Sequence, residues 1–367
     1  MSPESLTLYA PLVLVTFVVA ALVVGWAVPR VRDFALRVGA VQEGGAAHGL
    51  GVRLHRGRVP NIGGIAIFGG FLMAVLVGFV LAPQQIDAYR VQLLAIVLGG
   101  ALMTLVGFVD DLWEVSPVVR LATQFAAAGI VVINGVTIDF ITNYFGAVPF
   151  VFFPEALAVA VTLFWIVGFT NAFNFIDGLD GLSSGIAAIA SLSLLAVALQ
   201  FPDRGASVLL LTAVAGSALG FLRYNSNPAS ITMGDSGAYF LGYLLATVSV
   251  LGALKVTAAV AVAAPILILA LPVVNITQVT VRRLRRRQNP TLAANDHLHD
   301  LLRARSGSPR VAVYLLWGAT LACGVIGMLL AATPLPLVAG TLLGSVALLG
   351  IATVWRWREA RRATPPA

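Results

Sequence analysis

Carboxylates and amides recur in three short blocks of this sequence, and such residues can bind a metal ion and move protons. Asp110 and Asp111 form the first block, and residues 171–181 form the second, with the pattern Asn-x-x-Asn-x-x-Asp-Gly-x-Asp-Gly. The third block is Met-Gly-Asp, which ends at Asp235. Mg²⁺ commonly uses one or two carboxylates together with substrate phosphates. Of two adjacent carboxylates, one can be held ready to accept a proton.

Basic residues could complete a site of this kind. Arg120 closes the stretch that begins at Asp110, and His297 and His299 lie in a long basic loop. Arginine neutralises and orients phosphates, so the set predicts metal-assisted chemistry on a phosphorylated substrate. Each residue also has an ordinary alternative. A single aspartate at a helix end is usually a cap or a solvated terminus, and a basic run such as 282–287 usually anchors a membrane helix.

The composition indicates that membrane helices carry these blocks. Hydrophobic residues make up 59% of the 367 positions and charged residues 11%, whereas soluble domains carry about 25% charge. Apolar runs of about 18 residues or more read as membrane helices, because backbone groups in hydrocarbon need internal partners. The sequence therefore predicts an all-α polytopic integral membrane protein. About eleven segments can span, the first of them a retained helix: 9–28, 62–82, 92–109, 121–136, 156–174, 184–201, 206–222, 236–253, 257–277, 310–331 and 335–355.

The distribution of basic residues predicts the orientation. With the N-terminus outside and the spans alternating, the inside loops hold 20 of the 23 Lys and Arg residues, as the positive-inside rule requires. The prediction is a multi-pass protein of the inner (plasma) membrane with a cytoplasmic C-terminus. The net charge of +7 then reflects topology and anionic lipid, and nucleic acid is not an expected partner. A single membrane domain, 1–367, should place its active site on the cytoplasmic loops 29–61, 110–120, 175–183, 223–235 and 278–309.

The blocks are similar, in type and order, to those of the polyprenyl-phosphate N-acetylhexosamine-1-phosphate transferases of glycosyltransferase family 4. The resemblance begins at His55-Arg-Gly-Arg-Val-Pro-Asn-Ile-Gly-Gly and continues through Asp110 to Arg120. It is most specific at 171–182 and at 225–237, and it ends with His297-Leu-His. It covers the chain from about residue 9 to residue 355.

The resemblance implies a reaction. Members transfer a sugar 1-phosphate, here most simply N-acetylglucosamine 1-phosphate, from a UDP-sugar to undecaprenyl or another polyprenyl phosphate and release UMP. The product begins a cell-envelope polymer such as lipopolysaccharide or teichoic acid. Mg²⁺ is the implied cofactor, for which Mn²⁺ can substitute. The implied partners are the UDP-sugar, the polyprenyl phosphate and the bilayer, and a homodimer is compatible with the sequence.

The resemblance also implies a role for each candidate residue. Asp235 would bind the metal with help from Asn174, and Asp110 would deprotonate the lipid phosphate with support from Asp111. The remaining residues would contact substrate. Arg120 would hold the diphosphate, Asp180 and Asn225 the uridine with Asp177 lining the same pocket, and His297 and His299 the sugar and phosphate.

Some positions depart from the family pattern, and two other functions compete. Thr232 stands where an aromatic residue often stacks on uracil, and the histidine motif reads His297-Leu-His299-Asp300. The branch that uses UDP-N-acetylmuramoyl-pentapeptide typically carries three consecutive histidines, so their absence favours UDP-N-acetylglucosamine. That pentapeptide transferase of peptidoglycan synthesis remains the first alternative. A secondary transporter is the second, although transporters place their sites near the midplane and these carboxylates fall at segment ends.

Overall fold

Helices make up most of the protein. The structure is a computed structural model, and it describes residues 3–43, 58–142, 150–253, 263–285, 287 and 297–363. The described helices are α1 Pro3–Val38, α2 Gly64–Leu81, α3 Pro83–Ile86, α4 Arg90–Trp113, α5 Pro117–Ile133, α6 Glu155–Ile176, α7 Leu182–Ala198, α8 Gly205–Asn225, α9 Gly234–Ala253, α10 Ala263–Ile268, α11 Ala270–Arg285, α12 Leu298–Ser306, α13 Pro309–Leu330 and α14 Leu335–Ala363. A 3₁₀ turn spans Asp87–Tyr89, and two antiparallel strand pairs join β1 Val41–Glu43 to β2 Arg58–Pro60 and β3 Phe140–Thr142 to β4 Phe150–Phe152.

The helices confirm an all-α, multi-pass membrane protein. Within the described residues, seven helical stretches are long and apolar enough to cross a bilayer. They are Thr7–Val38, Gly64–Leu81, Pro83–Trp113, Glu155–Ile176, Gly205–Asn225, Pro309–Leu330 and Leu335–Arg361. Two shorter apolar helices, α5 and α7, accompany them. Every predicted segment except 257–277 overlaps a single helix. The total of eleven spans and their orientation stay predictions.

The predicted segment 257–277 differs from the others. Its first residues, through 262, lie outside the described part of the chain, and the rest is divided between α10 and α11 at Leu269. Pro272 explains the division. Proline lacks an N–H, and its ring crowds the carbonyl four residues earlier, here that of Ile268.

Helix α8 lies at the centre of the bundle. Of its membrane-length window, 94% is buried inside the protein, and it packs against α1, α2, α7 and α14. Small residues permit this packing: a Cβ added at Gly216 would lie 2.5 Å from the carbonyl oxygen of Phe17. Close backbone contact of this kind is the usual way in which helices associate in lipid.

Two helices are longer than a bilayer requires, and both extend towards the predicted site. At 1.5 Å per residue, α1 is about 54 Å long and α14 about 44 Å, against roughly 30 Å of hydrocarbon. Beyond α1, β1 pairs with β2. The chain after β2 bonds to the segment before α9, since Gly64 N–H donates to the Met233 carbonyl at 2.9 Å.

Candidate active site

The site forms where the end of α4 crosses the start of α9. Asp110 and Asp111 occupy the last turn of α4, and Asp235 occupies the first turn of α9. The two backbones touch at Gly107, where an added Cβ would collide with the Ser236 N–H. A residue larger than glycine at 107 would therefore separate the three carboxylates.

Asp111 caps the N-terminus of α9. Its Oδ1 accepts the Asp235 N–H at 2.8 Å, and its Oδ2 accepts the Ser236 N–H at 3.2 Å and the Ser236 hydroxyl at 2.9 Å. Gly234 makes the sharp turn into the helix with φ of +67°, a region that residues with a Cβ rarely adopt. Both Asp111 oxygens thus satisfy amides that the helix itself leaves unpaired.

Asp110 pairs with Arg120 of α5 and also contacts the carboxyl group of Asp235. Arg120 Nη1 donates to Asp110 Oδ2 at 3.0 Å, while the Val115 N–H donates to Oδ1 at 2.7 Å. The Tyr239 hydroxyl lies 3.4 Å from Asp110 Oδ2 and 3.5 Å from Arg120 Nη1. The Asp110 side chain is 5% exposed and that of Arg120 32%, so the guanidinium is the more accessible partner of the pair.

The C-terminal turn of α6 adds an amide and a carboxyl to this cluster. Asn174 Nδ2 donates to Asp235 Oδ1 at 2.7 Å. Asp177 follows as the C-cap of α6. Burial, together with the nearby Asp235 and Asp180 carboxylates, raises the pKa of Asp177 to about 7. A carboxyl of this kind holds its proton near neutral pH unless a cation approaches.

Asp180 and Asn225 connect two loops beside the cluster. Asp180 Oδ2 accepts the Asn227 side-chain amide and the Ala229 N–H, both at 3.0 Å. Asn225 is 3% exposed. Its Oδ1 accepts the Gly181 N–H at 3.1 Å and the Ser184 hydroxyl at 2.8 Å, and its Nδ2 donates to the Ile231 carbonyl at 3.1 Å. Asn225 therefore fastens the two loops to each other from inside.

His297 and His299 stack on one another beneath α6. Their ring centroids lie 5.5 Å apart at 3°, and Phe175 stacks on His297 at 5.7 Å and 20°. His299 is 5% exposed and abuts Gly178, where an added Cβ would collide with Nε2. Burial, with the nearby His297 and Arg303, lowers the pKa of His299 to about 3. His299 is therefore neutral at physiological pH.

The carboxylate cluster offers few preformed ligands for a metal ion. No group of three His, Cys, Asp or Glu in the described residues is arranged to hold one. Asp235 and the Asn174 amide nevertheless lie within one hydrogen bond of each other, and carboxylate and amide oxygens are the donors that Mg²⁺ accepts. The residues fit a cation that takes its remaining ligands from water and substrate phosphates.

Residues 93–253 match the model of glycosyl transferase family 4. A protein of Bacillus subtilis strain 168 named "Probable undecaprenyl-phosphate N-acetylglucosaminyl 1-phosphate transferase" is 33% identical over 311 residues, 83% of this chain and 81% of that protein. The chain belongs to glycosyl transferase family 4. The matched range runs from α4 to the end of α9, the helices that bear the carboxylate cluster.

Other members of the family align over different shares of the chain. The decaprenyl-phosphate N-acetylglucosaminephosphotransferase of Mycolicibacterium smegmatis is 31% identical over 326 residues, 83% of this chain and 79% of the relative. The phospho-N-acetylmuramoyl-pentapeptide-transferase of Listeria monocytogenes is 31% identical over 249 residues, 64% of this chain and 74% of the relative.

The structure brings most predicted site residues together and adds others. Asp110 bonds to Arg120, Asp111 and Asn174 bond to Asp235, and the Asp110 and Asp235 carboxyls contact each other. His55 lies outside the described residues. Sequence reasoning missed the residues that support the cluster. Tyr239 follows Asp235 by four positions, a spacing that puts both on one helix face and could have revealed it. The other missed residues are Ser236, which bonds to Asp111, and Asn227, which bonds to Asp180.

Proposed function

We propose that this protein transfers N-acetylglucosamine 1-phosphate from UDP-N-acetylglucosamine to a polyprenyl phosphate and releases UMP at the cytoplasmic face. The observation that carries the proposal is the meeting of Asp110, Arg120, Asn174 and Asp235 at one end of a membrane bundle. A lipid phosphate anchored in the bilayer and a soluble nucleotide can both reach such a place. The names of the relatives in Bacillus and Mycolicibacterium support the choice of sugar and lipid.

The cluster suits the charge changes of this reaction. Asp235, with the Asn174 amide, would hold Mg²⁺, which would neutralise the diphosphate of the UDP-sugar. Arg120 is the more exposed partner of the Asp110 pair and would turn to the phosphate that reacts. Asp110 Oδ2, released from Arg120, would take the last proton from the lipid phosphate, whose oxygen then attacks the sugar-linked phosphorus as UMP leaves. Atoms and charge balance without any further reactant.

Asp180 and its loop would provide the uridine pocket. Asp180 lies between the end of α6 and the segment before α9, close enough to Asp177 to raise that residue's pKa. Asn225 would act by holding the pocket's two loops together, because its three hydrogen bonds all go to protein groups. His297 and His299 would border the sugar on the far side of Gly178.

An apolar cavity would hold part of the polyprenyl chain. It has a volume of about 600 Å³ and lies between the segment 137–140, α6, α9 and α10, with Leu157, Val161, Phe164 and Ile266 in its wall. Helix α6 runs from this cavity to the carboxylate cluster, over about 26 Å between residues 157 and 174. A polyprenyl chain bound along α6 would extend from the cavity to the carboxylate cluster. Filling the cavity with Val161→Trp should then slow transfer to long-chain acceptors more than to short-chain ones.

The pentapeptide transferase remains the second candidate. The Listeria enzyme of that name aligns over 64% of this chain, against 83% for the Bacillus relative. Shorter coverage favours the N-acetylglucosamine substrate. Family membership leaves the secondary transporter without support.

One assay tests the proposal. Purified protein, undecaprenyl phosphate and Mg²⁺ are incubated with a panel of UDP-sugars, and UMP release is measured. UDP-N-acetylglucosamine should give the fastest release. Release from UDP-N-acetylmuramoyl-pentapeptide alone would establish the second candidate instead, and no release from any UDP-sugar would overturn the proposed function.

A further inference from the structure

The segment 226–233, between α8 and α9, is fastened by arginines from the C-terminal helices. The inner side of this segment supports Asp180, through the Asn227 amide and the Ala229 N–H. Its outer side accepts two arginine contacts. Arg310 Nε donates to Asn227 Oδ1 at 2.9 Å, and Arg356 Nε donates to the Pro228 carbonyl at 2.7 Å.

Asn227 therefore links an arginine to a carboxylate. Its amide oxygen accepts from Arg310 while its amide nitrogen donates to Asp180. Hydrogen bonds in such a chain polarise one another, and each strengthens the next. Removal of Arg310 should therefore weaken, through Asn227, the hydrogen bonding that holds the Asp180 carboxylate in position.

Arg356 is itself held in place by the end of α8. Arg356 Nη1 lies 3.9 Å from Glu359 Oε2. Glu359 Oε1 accepts the Trp355 indole N–H at 2.7 Å and lies 3.5 Å from Arg223 Nη2. The Arg223 guanidinium stacks 3.7 Å from the Trp355 ring centroid. The last turns of α14 are thus docked onto α8 at the point where the segment 226–233 begins.

The burial of Arg356 separates this contact from an ordinary surface pair. Its side chain is 15% exposed, whereas Pro228 is an exposed residue, so one partner of this hydrogen bond is largely shielded from water. Arg310 is itself an exposed residue, so its hydrogen bond to Asn227 should matter less than that of Arg356 to Pro228. The neighbouring Arg358 is exposed on the same helix and offers a matched control.

We propose that Arg356 and Arg310 are positioning residues that hold the segment 226–233 in the form that binds the nucleotide. Through Asn227 and Ala229 they orient Asp180, so the cytoplasmic ends of α13 and α14 set the affinity for the uridine diphosphate part of the substrate. This inference rests on the proposed function in one respect, the assignment of Asp180 to the uridine pocket.

The test compares three variants with the parent: Arg356→Ala, Arg310→Ala and Arg358→Ala. Calorimetry gives the affinity for UDP, and steady-state kinetics give KM and kcat for the UDP-sugar. Arg356→Ala should weaken UDP binding and raise KM by roughly tenfold, the scale of one hydrogen bond to a charged group, with kcat changed less than about twofold. Arg310→Ala should do the same to a smaller extent, and Arg358→Ala should match the parent. Arg356→Lys keeps the charge but not the fixed Nε donor, so it should be intermediate.

A double-mutant cycle decides whether the arginine acts through Asp180. In the Asp180→Ala background, Arg356→Ala should cause no further loss of UDP affinity. Additive losses, or a lowered melting temperature and kcat with UDP affinity unchanged, would show a merely structural role and overturn the inference. If the parent binds UDP in an Arg356-dependent way but releases no UMP, the proposed function fails and the positioning role stands. If the parent turns over normally and Arg356→Ala binds UDP as tightly, only the positioning role fails.

Discussion

The Asp111 carboxylate accepts the backbone N–H of Asp235 at 2.8 Å, so one acidic residue of the site holds another in position. The attachment crosses from α4 to α9, and Ser236 strengthens it with two further hydrogen bonds to Asp111. The two adjacent aspartates of α4 consequently have different surroundings. Asp110 contacts the side chains of Arg120, Tyr239 and Asp235, whereas Asp111 accepts the backbone amides at the start of α9.

Asp111→Ala should lower stability as well as activity. It removes an acceptor for two backbone amides of α9, and loss of a helix cap costs about 0.5–2 kcal/mol. We expect a lower melting temperature in detergent and a higher Mg²⁺ concentration for half-maximal activity, because Asp235 is no longer held. Asp111→Asn keeps one acceptor oxygen, so its melting temperature and Mg²⁺ requirement should lie between those of the parent and those of Asp111→Ala. An Asp111→Ala protein that melts like the parent would show that the cap contributes nothing.

Asp110→Asn should separate binding from chemistry. The amide keeps the size of the carboxylate but cannot accept the proton from the lipid phosphate. UDP-sugar binding with Mg²⁺ should persist, while UMP release falls by at least about 100-fold, the low end for general-base catalysis. The measurements are UDP-sugar affinity and UMP release across pH. Near-normal turnover at every pH would exclude Asp110 as the base and make Asp111 the candidate.

Asp235→Ala should abolish metal-dependent turnover. Without this carboxylate, the Asn174 amide alone would face the cation, and the diphosphate charge would stay unneutralised. Activity is measured over a range of Mg²⁺ and Mn²⁺ concentrations, with Asn174→Ala as the milder comparison. Retained Mg²⁺-dependent turnover in Asp235→Ala would place the metal elsewhere.

The sequence predicted the members of this cluster better than their contacts. The sequence alone could predict that these carboxylates lie together, because hydropathy places each at the end of an apolar segment. The ends of membrane segments meet at a membrane surface. A cap is one ordinary alternative for an aspartate at a helix end, and Asp111 is such a cap. The helix that it caps is α9, however, 124 residues along the chain. Neither propensity nor spacing encodes a partner at that distance.

The supporting contacts of the C-terminal helices were beyond prediction for the same reason. In the sequence Arg356 is one of the 20 basic residues predicted inside. Only the packing of α14 on α8 brings it to Pro228, 128 residues earlier. The division of 257–277 into two helices was open to prediction. Pro272 lies within this apolar run, and a proline can end a helix because it lacks a backbone N–H. Hydropathy measures only apolar character, so it does not detect this effect.

His299 should make the protein sensitive to acid. The folded protein keeps this imidazole neutral down to about pH 3, whereas the unfolded chain takes up a proton below about pH 6.5. The unfolded state therefore binds more protons between these values. The contribution of His299 to the free energy of unfolding is fully present above pH 6.5. It is lost as pH falls towards 3, by up to about 1.4 kcal/mol per pH unit.

The measurement is the melting temperature in detergent from pH 7.5 to pH 5. His299→Gln should lose less melting temperature than the parent over this range. The reference is pH 7.5, where His299 of the parent is neutral in both the folded and the unfolded state. An identical decline in parent and variant would mean that other groups cause the acid sensitivity.

Labelling of single cysteines should establish the orientation. Gln84 is exposed in α3, at the end of the bundle where α2 finishes, and Ala304 is exposed in α12, near the histidine pair. The 20 basic residues predicted inside place Ala304 in the cytoplasm and Gln84 outside. Cys323 is first replaced by serine, since it is the one cysteine of the chain. In intact cells a membrane-impermeant maleimide should then modify Gln84→Cys and leave Ala304→Cys unmodified until the membrane is opened. The reverse pattern would move the carboxylate cluster to the outer face, where no cytoplasmic UDP-sugar could reach it, and the proposed reaction would fail with it.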